Sequence, residues 1–267
     1  MEALRQAQEL RIRFETCPLC ECRTFVPLGE TGCRTHAAWS AELPEKLAWV
    51  GCQACGHVFT DGYWSEAALA RIFATEHAQQ TPGQDVEAAR RISAKVVTRV
   101  SELRGEFNGR WLDVGFGDGS LLTTAEEFGY EVVGLDLRES CVRRMREFGY
   151  TVERRTLIEF QDARGFDVIS LCDVLEHIAL PKQALVKVKN LLAPHGLLMV
   201  SCPNMDSFAW KWLDQRGQNP YWSELEHHHN FGRERLCALL VECGLEPIHY
   251  AISERYKAGM EVVARRR

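Results

Sequence analysis

From Phe107 onward, short apolar runs alternate with stretches in which apolar residues recur three and four apart. RWLDVG (110–115), YEVVGLDL (130–137), FDVISLCDVL (166–175) and LLMVSCP (197–203) read as buried strands. Between them, GSLLTTAEEFG (119–129), RESCVRRMREFG (138–149) and QALVKVKNLLAPHG (183–196) read as helices, each closed by a glycine. RERLCALLVECG (233–244) predicts a last helix, and EPIHYAI with GMEVVAR an antiparallel pair at the end. Strictly alternating elements predict an α/β, Rossmann-like, doubly wound and mostly parallel sheet.

The first hundred residues carry a different pattern. SEAALARIFATEH (65–77) and ARRISAKVVTRVSEL (89–103) have helical spacing, with Ser65 as N-cap and TPGQD (81–85) as the break between them. Residues 15–60 are rich in Cys, Gly and Pro, with short strand-like pieces LAWVGC and HVFT, and residues 1–14 read as a short helix or a loose arm. The expected organisation is a small N-terminal domain at 1–64, a helical connector at 65–105 and an α/β domain at 106–267.

The 267 residues are 46% hydrophobic and 26% charged, enough to bury a core without disulfides. The formal net charge of −5 offers no overall basic field and disfavours nucleic acid as a partner. The charged start MEALRQAQELRIRF lacks the apolar core of a secretory signal, and no apolar run is long enough for a membrane span. A cytoplasmic location is therefore expected. There, eleven cysteines, six of them before residue 56, point to metal ligands or reactive thiols.

Two C-x2-C pairs, Cys17 with Cys20 and Cys52 with Cys55, can supply four thiolates to a structural zinc ion. Redox chemistry is the rival use, but such motifs sit at helix starts in a βαβ setting, and neither pair does. Cys22, Cys33, His36 and His57 lie in or beside the same segment, so a substituted ligand stays open.

LDVGFGDGS joins a strand to a helix. Gly115, Gly117 and Gly119 permit a sharp turn and close approach of a ligand, and Asp136, 23 residues beyond Asp113, ends the next strand where a carboxylate can accept ribose hydroxyls. A nicotinamide dinucleotide site would need Gly or Ala at position 120, where Ser stands.

The motifs together resemble class I S-adenosylmethionine-dependent methyltransferases, in a subgroup with an N-terminal zinc ribbon. The resemblance runs through the glycine loop, FDVISLCDVLEHI, LLAPHGLLMVSCPN and EHHHNFGRERLCALLVECGL, with departures at Glu21 and His195, where the family commonly has Gly. It implies a cofactor site of Asp113, Gly115, Phe116, Gly117, Gly119, Asp136, Leu137, Cys172 and Asp173. It also implies S-adenosylmethionine and structural Zn2+ as cofactors, and a small-molecule acceptor of sugar, polysaccharide-precursor or natural-product type. His177, His227 and His229 are the candidates for general base, since imidazole titrates near neutrality. Trp210, Trp212, Tyr221 and Trp222 read as core first and acceptor cap second. The alternatives are an RNA methyltransferase and a non-catalytic S-adenosyl-ligand-binding protein.

Overall fold

A computed structural model describes residues 10–76, 81–255 and 258–267. The chain divides into two compact units. One comprises Gln79–Leu175, Lys182–Cys202 and Cys237–Arg267; the other Met1–Ala78, Glu176–Pro181 and Pro203–Leu236.

The larger unit is an α/β sheet. Its strands in chain order are β6 (Gly109–Val114), β7 (Tyr130–Asp136), β8 (Val152–Arg154), β9 (Phe166–Cys172), β10 (Leu192–Pro203), β12 (Leu245–Ile252) and β13 (Gly259–Arg266). They lie in the order β12-β13-β10-β9-β6-β7-β8. The pairs β6/β7, β6/β9, β7/β8 and β9/β10 are parallel, and β12/β13 is antiparallel. The predicted mostly parallel sheet with an antiparallel end is thus what the chain forms. Chain order reverses at β6, whose neighbours are β7 and β9, and ligands of open α/β sheets bind outside the carboxyl ends of the strands at such a reversal.

The strands read as apolar runs because both faces are covered. Trp111, Leu112, Val168, Ile169, Leu171, Leu198 and Val200 are all buried. Helix Val86–Arg104 buries Val96, Val97 and Val100 and ends at Gly105, whose left-handed backbone (φ 81°) donates to the carbonyls of Glu102 and Ser101. Helix Pro181–Leu191 stops earlier than its apolar spacing predicts, because Leu192 already pairs with Phe166 as the first residue of β10.

The smaller unit holds an antiparallel sheet in the order β11-β4-β3-β2: β2 (Phe25–Gly32), β3 (Lys46–Cys52), β4 (Val58–Thr60) and β11 (His229–Asn230). A separate pair joins β1 (Arg11–Arg13) to β5 (Gly62–Trp64). Arg11–Arg13 is thus a strand, where helix or loose arm is the sequence reading; residues 1–9 of that stretch lie outside the described residues. Ser65 caps helix Glu66–Glu76 as expected, its Oγ accepting from the Ala68 amide at 3.4 Å. His77, placed in that helix by its spacing, also lies outside the described residues. No helix among the described residues is long and apolar enough to cross a membrane.

Candidate functional site

In the larger unit, the carboxyl ends of β6, β7 and β9 carry the acidic and glycine residues singled out above. Asp113 is buried near the end of β6, with its Oδ1 accepting from Ser170 Oγ at 2.6 Å. Burial pushes its carboxyl up to about 7, against a smaller downward pull from the Ser170 hydroxyl. Beyond β6 the chain turns through Gly115 (φ 67°), Gly117 (φ 61°) and Gly119 (φ 77°), all left-handed. A Cβ at position 115 would lie 2.6 Å from Val174 Cγ2, whereas one at 117 would meet nothing nearer than 3.6 Å. Gly115 is therefore fixed by packing, and Gly117 by its φ.

Asp136, at the end of β7, accepts from the Gly117 amide at 3.0 Å and the Arg138 amide at 2.8 Å. The Arg138 guanidinium also reaches it, Nε to Oδ1 and Nη2 to Oδ2, each at 3.1 Å. Asp173, just past β9, has φ 58° and is held at both ends by Ser201: its amide donates to the Ser201 carbonyl and its Oδ1 accepts from Ser201 Oγ, each at 2.9 Å. Leu137 is exposed beside Asp136. The side chains of Phe116 and Cys172 instead belong to the hydrophobic core, where Cys172 Sγ lies 3.6 Å from Met199 Sδ.

These features fit an S-adenosyl ligand. The three loop glycines present bare backbone, flanked by one carboxylate that can receive an ammonium group and another suited to a vicinal diol. Ser170, Ser201 and Arg138 escaped the sequence reading. The two serines left a signal: each is a lone polar residue inside an apolar strand run, and a buried hydroxyl requires a partner.

In the smaller unit the four paired cysteines converge. Sγ of Cys17 lies 3.7 Å from that of Cys55, and Sγ of Cys20 lies 3.5 Å from that of Cys52. All four sulfurs fall within 4.8 Å of one another. These separations are far longer than a disulfide, about 2.05 Å. They approach the edge of a sulfur tetrahedron around zinc, roughly 3.8 Å for bonds of about 2.3 Å. The two knuckles have the same internal hydrogen-bond pattern. The Glu21 amide donates to the Cys17 carbonyl and the Gly56 amide to the Cys52 carbonyl, both at 2.9 Å. The Cys17 amide donates to the Cys22 carbonyl at 2.8 Å and the Cys52 amide to the His57 carbonyl at 2.9 Å.

The other potential ligands are engaged elsewhere. Cys33 Sγ contacts the Pro44 carbonyl at 3.1 Å, His36 Nε2 pairs with Glu224 at 2.9 Å, and Cys22 Sγ takes the Thr24 amide at 3.3 Å. His57 Nε2 lies 3.1 Å from His229 Nδ1.

The histidines of the EHHHN stretch have distinct surroundings. His229 Nε2 faces the carbonyls of Ile178 at 2.9 Å and Ala179 at 3.3 Å, so it carries the proton and Nδ1 accepts from His57. Burial lowers His229 to about 4 and His57 and His228 well below the ordinary value, so all three are neutral near pH 7. His177 and His227 meet edge to face, with ring centroids 4.7 Å apart, and group with Glu176. Trp210 is buried and stacks on Tyr221, Trp222 packs against Trp49, and Trp212 stays half exposed.

Comparison with known proteins bears on the larger unit and on part of the smaller one. Residues 84–250 match the family model described as Methyltransferase domain. A curated relative, the ubiquinone biosynthesis O-methyltransferase of Cereibacter sphaeroides (strain ATCC 17029 / ATH 2.4.9), is 32% identical over 157 residues. The match spans 52% of this chain and only 61% of that relative. Among solved structures, the magnesium protoporphyrin IX methyltransferase of Synechocystis PCC 6803 with bound SAH superposes with a TM-score of 0.60 at 17% identity, covering 76% of this chain and 100% of the other. The 1,6-didemethyltoxoflavin-N1-methyltransferase of Burkholderia thailandensis gives a TM-score of 0.58 at 18% identity, covering 80% and 97%. At these identities the two structures share the fold.

Proposed function

The chain belongs to the methyltransferase-domain family, and on that premise we propose that it transfers the methyl group of S-adenosylmethionine to a small-molecule acceptor. The observation that carries the reading is the left-handed glycine loop at the reversal of strand order, flanked by Asp113 and Asp136 at the ends of adjacent parallel strands.

S-adenosylmethionine supplies an electrophilic methyl group when bound. Asp113 in its ionised form receives the methionine ammonium, and Asp136 the ribose hydroxyls. The backbone at Gly115 and Gly117 gives close approach, Leu137 covers the adenine side, and Asp173 borders the same strand ends. Phe116 and Cys172 support from behind through the core.

The proposed acceptor is of sugar, polysaccharide-precursor or natural-product type, and the O-methyltransferase relative of ubiquinone biosynthesis supports a hydroxyl as the group that is methylated. Such an acceptor must lose a proton, and general-base help is typically worth about 10²–10⁴-fold. We assign that role to the cluster holding His177 and His227. His229, whose two nitrogens are committed to a neighbouring ring and to main-chain carbonyls, acts as a brace. The four paired cysteines hold one structural zinc ion.

Calorimetry tests the cofactor. S-adenosylhomocysteine binds and NAD does not, and Asp136→Ala weakens binding by about 2 kcal/mol, the scale of a charge-assisted hydrogen bond. Binding of NAD without binding of either S-adenosyl compound would refute the reading.

A further inference from the structure

We infer that Glu176, His177 and His227 form a second metal site, for a divalent first-row transition cation, separate from the four cysteines. The three side chains each offer one ligand atom, and these atoms lie within 4.8 Å of one another. Two imidazoles and a carboxylate are a donor set used for Zn2+ and Fe2+ when some coordination positions stay open for water or substrate. Around a tetrahedral ion with bonds of about 2.0–2.1 Å, neighbouring donors sit roughly 3.4 Å apart. Small side-chain rotations therefore close the set.

The surroundings are those of an organised ligand set. Glu176 and His227 are both buried, which shields these two donors from bulk water. His177 Nδ1 faces the main-chain carbonyl of Glu226 at 3.1 Å. A carbonyl only accepts, so Nδ1 carries the proton and the Nε2 lone pair is directed elsewhere. An orienting bond from the second ring nitrogen is the usual companion of a metal-binding histidine. The two backbone segments are also locked to each other. The His228 amide donates to the Glu176 carbonyl at 2.9 Å, and His229 Nε2 donates to the Ile178 carbonyl at 2.9 Å. Residues 176–178 and 226–229, about fifty positions apart in sequence, are thereby held in one register, which a site of fixed geometry requires.

A nearby trio of His36, Glu224 and Glu226 is a weaker candidate. Its histidine Nε2 already lies against both carboxylates, at 2.9 and 3.4 Å. It serves as a control.

A cation at Glu176, His177 and His227 would occupy the imidazole lone pairs and take over the task assigned above to a general base. A bound hydroxyl oxygen would become more acidic, and an alkoxide would form near neutral pH without a strong base. That use rests on the methyl-transfer reading; occupancy of the site does not.

The test reads occupancy on the full chain. Metal-free protein is titrated with Co2+ alone and followed by calorimetry and visible absorption. Wild type takes up two equivalents. One shows intense sulfur-to-metal charge transfer; the other shows only the weaker bands of nitrogen and oxygen ligation. Glu176→Gln, His177→Ala and His227→Ala each weaken the second equivalent by more than the roughly 10–100-fold that loss of an orienting group costs, and leave the thiolate equivalent intact. Glu224→Gln keeps both. Uptake of a single, thiolate-type equivalent by wild type overturns the proposal, and this result does not depend on any variant folding. A second equivalent lost in Glu224→Gln but kept in His227→Ala also overturns it. S-adenosylhomocysteine binding is measured on the same samples. Its loss, with two cobalt equivalents retained, refutes the methyl-transfer reading and leaves the metal site standing.

Discussion

Asp113 opposes stability, and in the proposed cofactor site it serves binding. Burial raises its folded carboxyl to about 7 from an ordinary 3.8. Its contribution to stability is therefore complete below about pH 4, declines as the pH rises, and is lost above about pH 7. Cofactor affinity should run the other way, because a methionine ammonium is received by the ionised carboxylate. The dissociation constant of S-adenosylhomocysteine is expected to worsen below pH 7, by at most about tenfold per pH unit. Asp113→Asn should bind weakly and with a flat profile; a wild-type affinity that stays level from pH 5.5 to 8 would contradict this. Arg138 poses a second residue-scale question. Two backbone amides and a guanidinium already crowd Asp136, and a carboxylate offers about four lone-pair sites. Ribose hydroxyls must displace the guanidinium. Arg138→Ala should therefore tighten S-adenosylhomocysteine by about 1 kcal/mol, the worth of one exchanged hydrogen bond; weaker binding would mean that Arg138 itself holds the ligand. Asp113, Asp136 and the loop glycines were legible in the sequence because their spacing is local and tied to strand ends. The fork of Arg138 was not, since two adjacent residues give no sign of which way a long side chain folds. Nor was the grouping of Glu176 with His227, which chain topology alone brings together.

At the scale of elements, legibility followed burial. β6, β7, β9 and β10 announce themselves because strands covered on both faces must be apolar throughout. β2 does not: nearly all of FVPLGETG is exposed, Pro27 and Gly29 interrupt it, and its register with β3 shifts between them. β8 and the β1/β5 pair are three residues long, too short for any period to show. The cysteine knuckles were legible by spacing, and their geometry adds a reason for one departure from the family pattern. Glu21 has φ 62° at the place where Gly56 has φ 68° in the other knuckle. His195 likewise stands at φ 63° where the family commonly has Gly. Each position demands a left-handed residue, and each non-glycine side chain there costs roughly 1–2 kcal/mol, which packing and hydrogen bonds must offset. The paired sulfurs stand near tetrahedral separations, and burial pushes the Cys55 thiol up to about 11 and raises Cys17 as well, so those two thiols stay protonated without a cation. Freshly purified protein should carry zinc that absorbs with thiolate character once replaced by cobalt, and Cys17→Ser and Cys52→Ser should each lose it. Strong chelation should then lower the thermal midpoint. Variants that fold normally and hold no less zinc would remove the four-cysteine assignment.

The charge balance of the whole chain bears on the proposed acceptor. A protein that grips nucleic acid gathers Lys and Arg into a basic surface, because each neutralised phosphate releases counterions. Here 32 basic residues face 37 acidic ones, for a net charge of −5. The arginines are also interleaved with acids. Arg71, Arg90, Arg91, Arg144, Arg154 and Arg164 each pair with a glutamate. Surface pairs of this kind add little stability, about 0–1 kcal/mol each, but they cancel the field that would draw in a polyanion. The one basic run, Arg265 to Arg267, begins in the last strand, where Arg265 stands opposite Glu246 of β12 in the strand register and Arg267 bridges the same glutamate. A zinc-bearing methyltransferase acting on RNA would need what this charge pattern withholds. The expected result is that a fluorescent single-stranded RNA oligonucleotide binds no tighter than the roughly 10⁻⁴ M weak end of non-specific association at physiological salt. Anisotropy measured at two salt concentrations decides. Micromolar or tighter binding, falling steeply as salt rises, would transfer the acceptor from small molecules to nucleic acid and leave the cofactor assignment untouched.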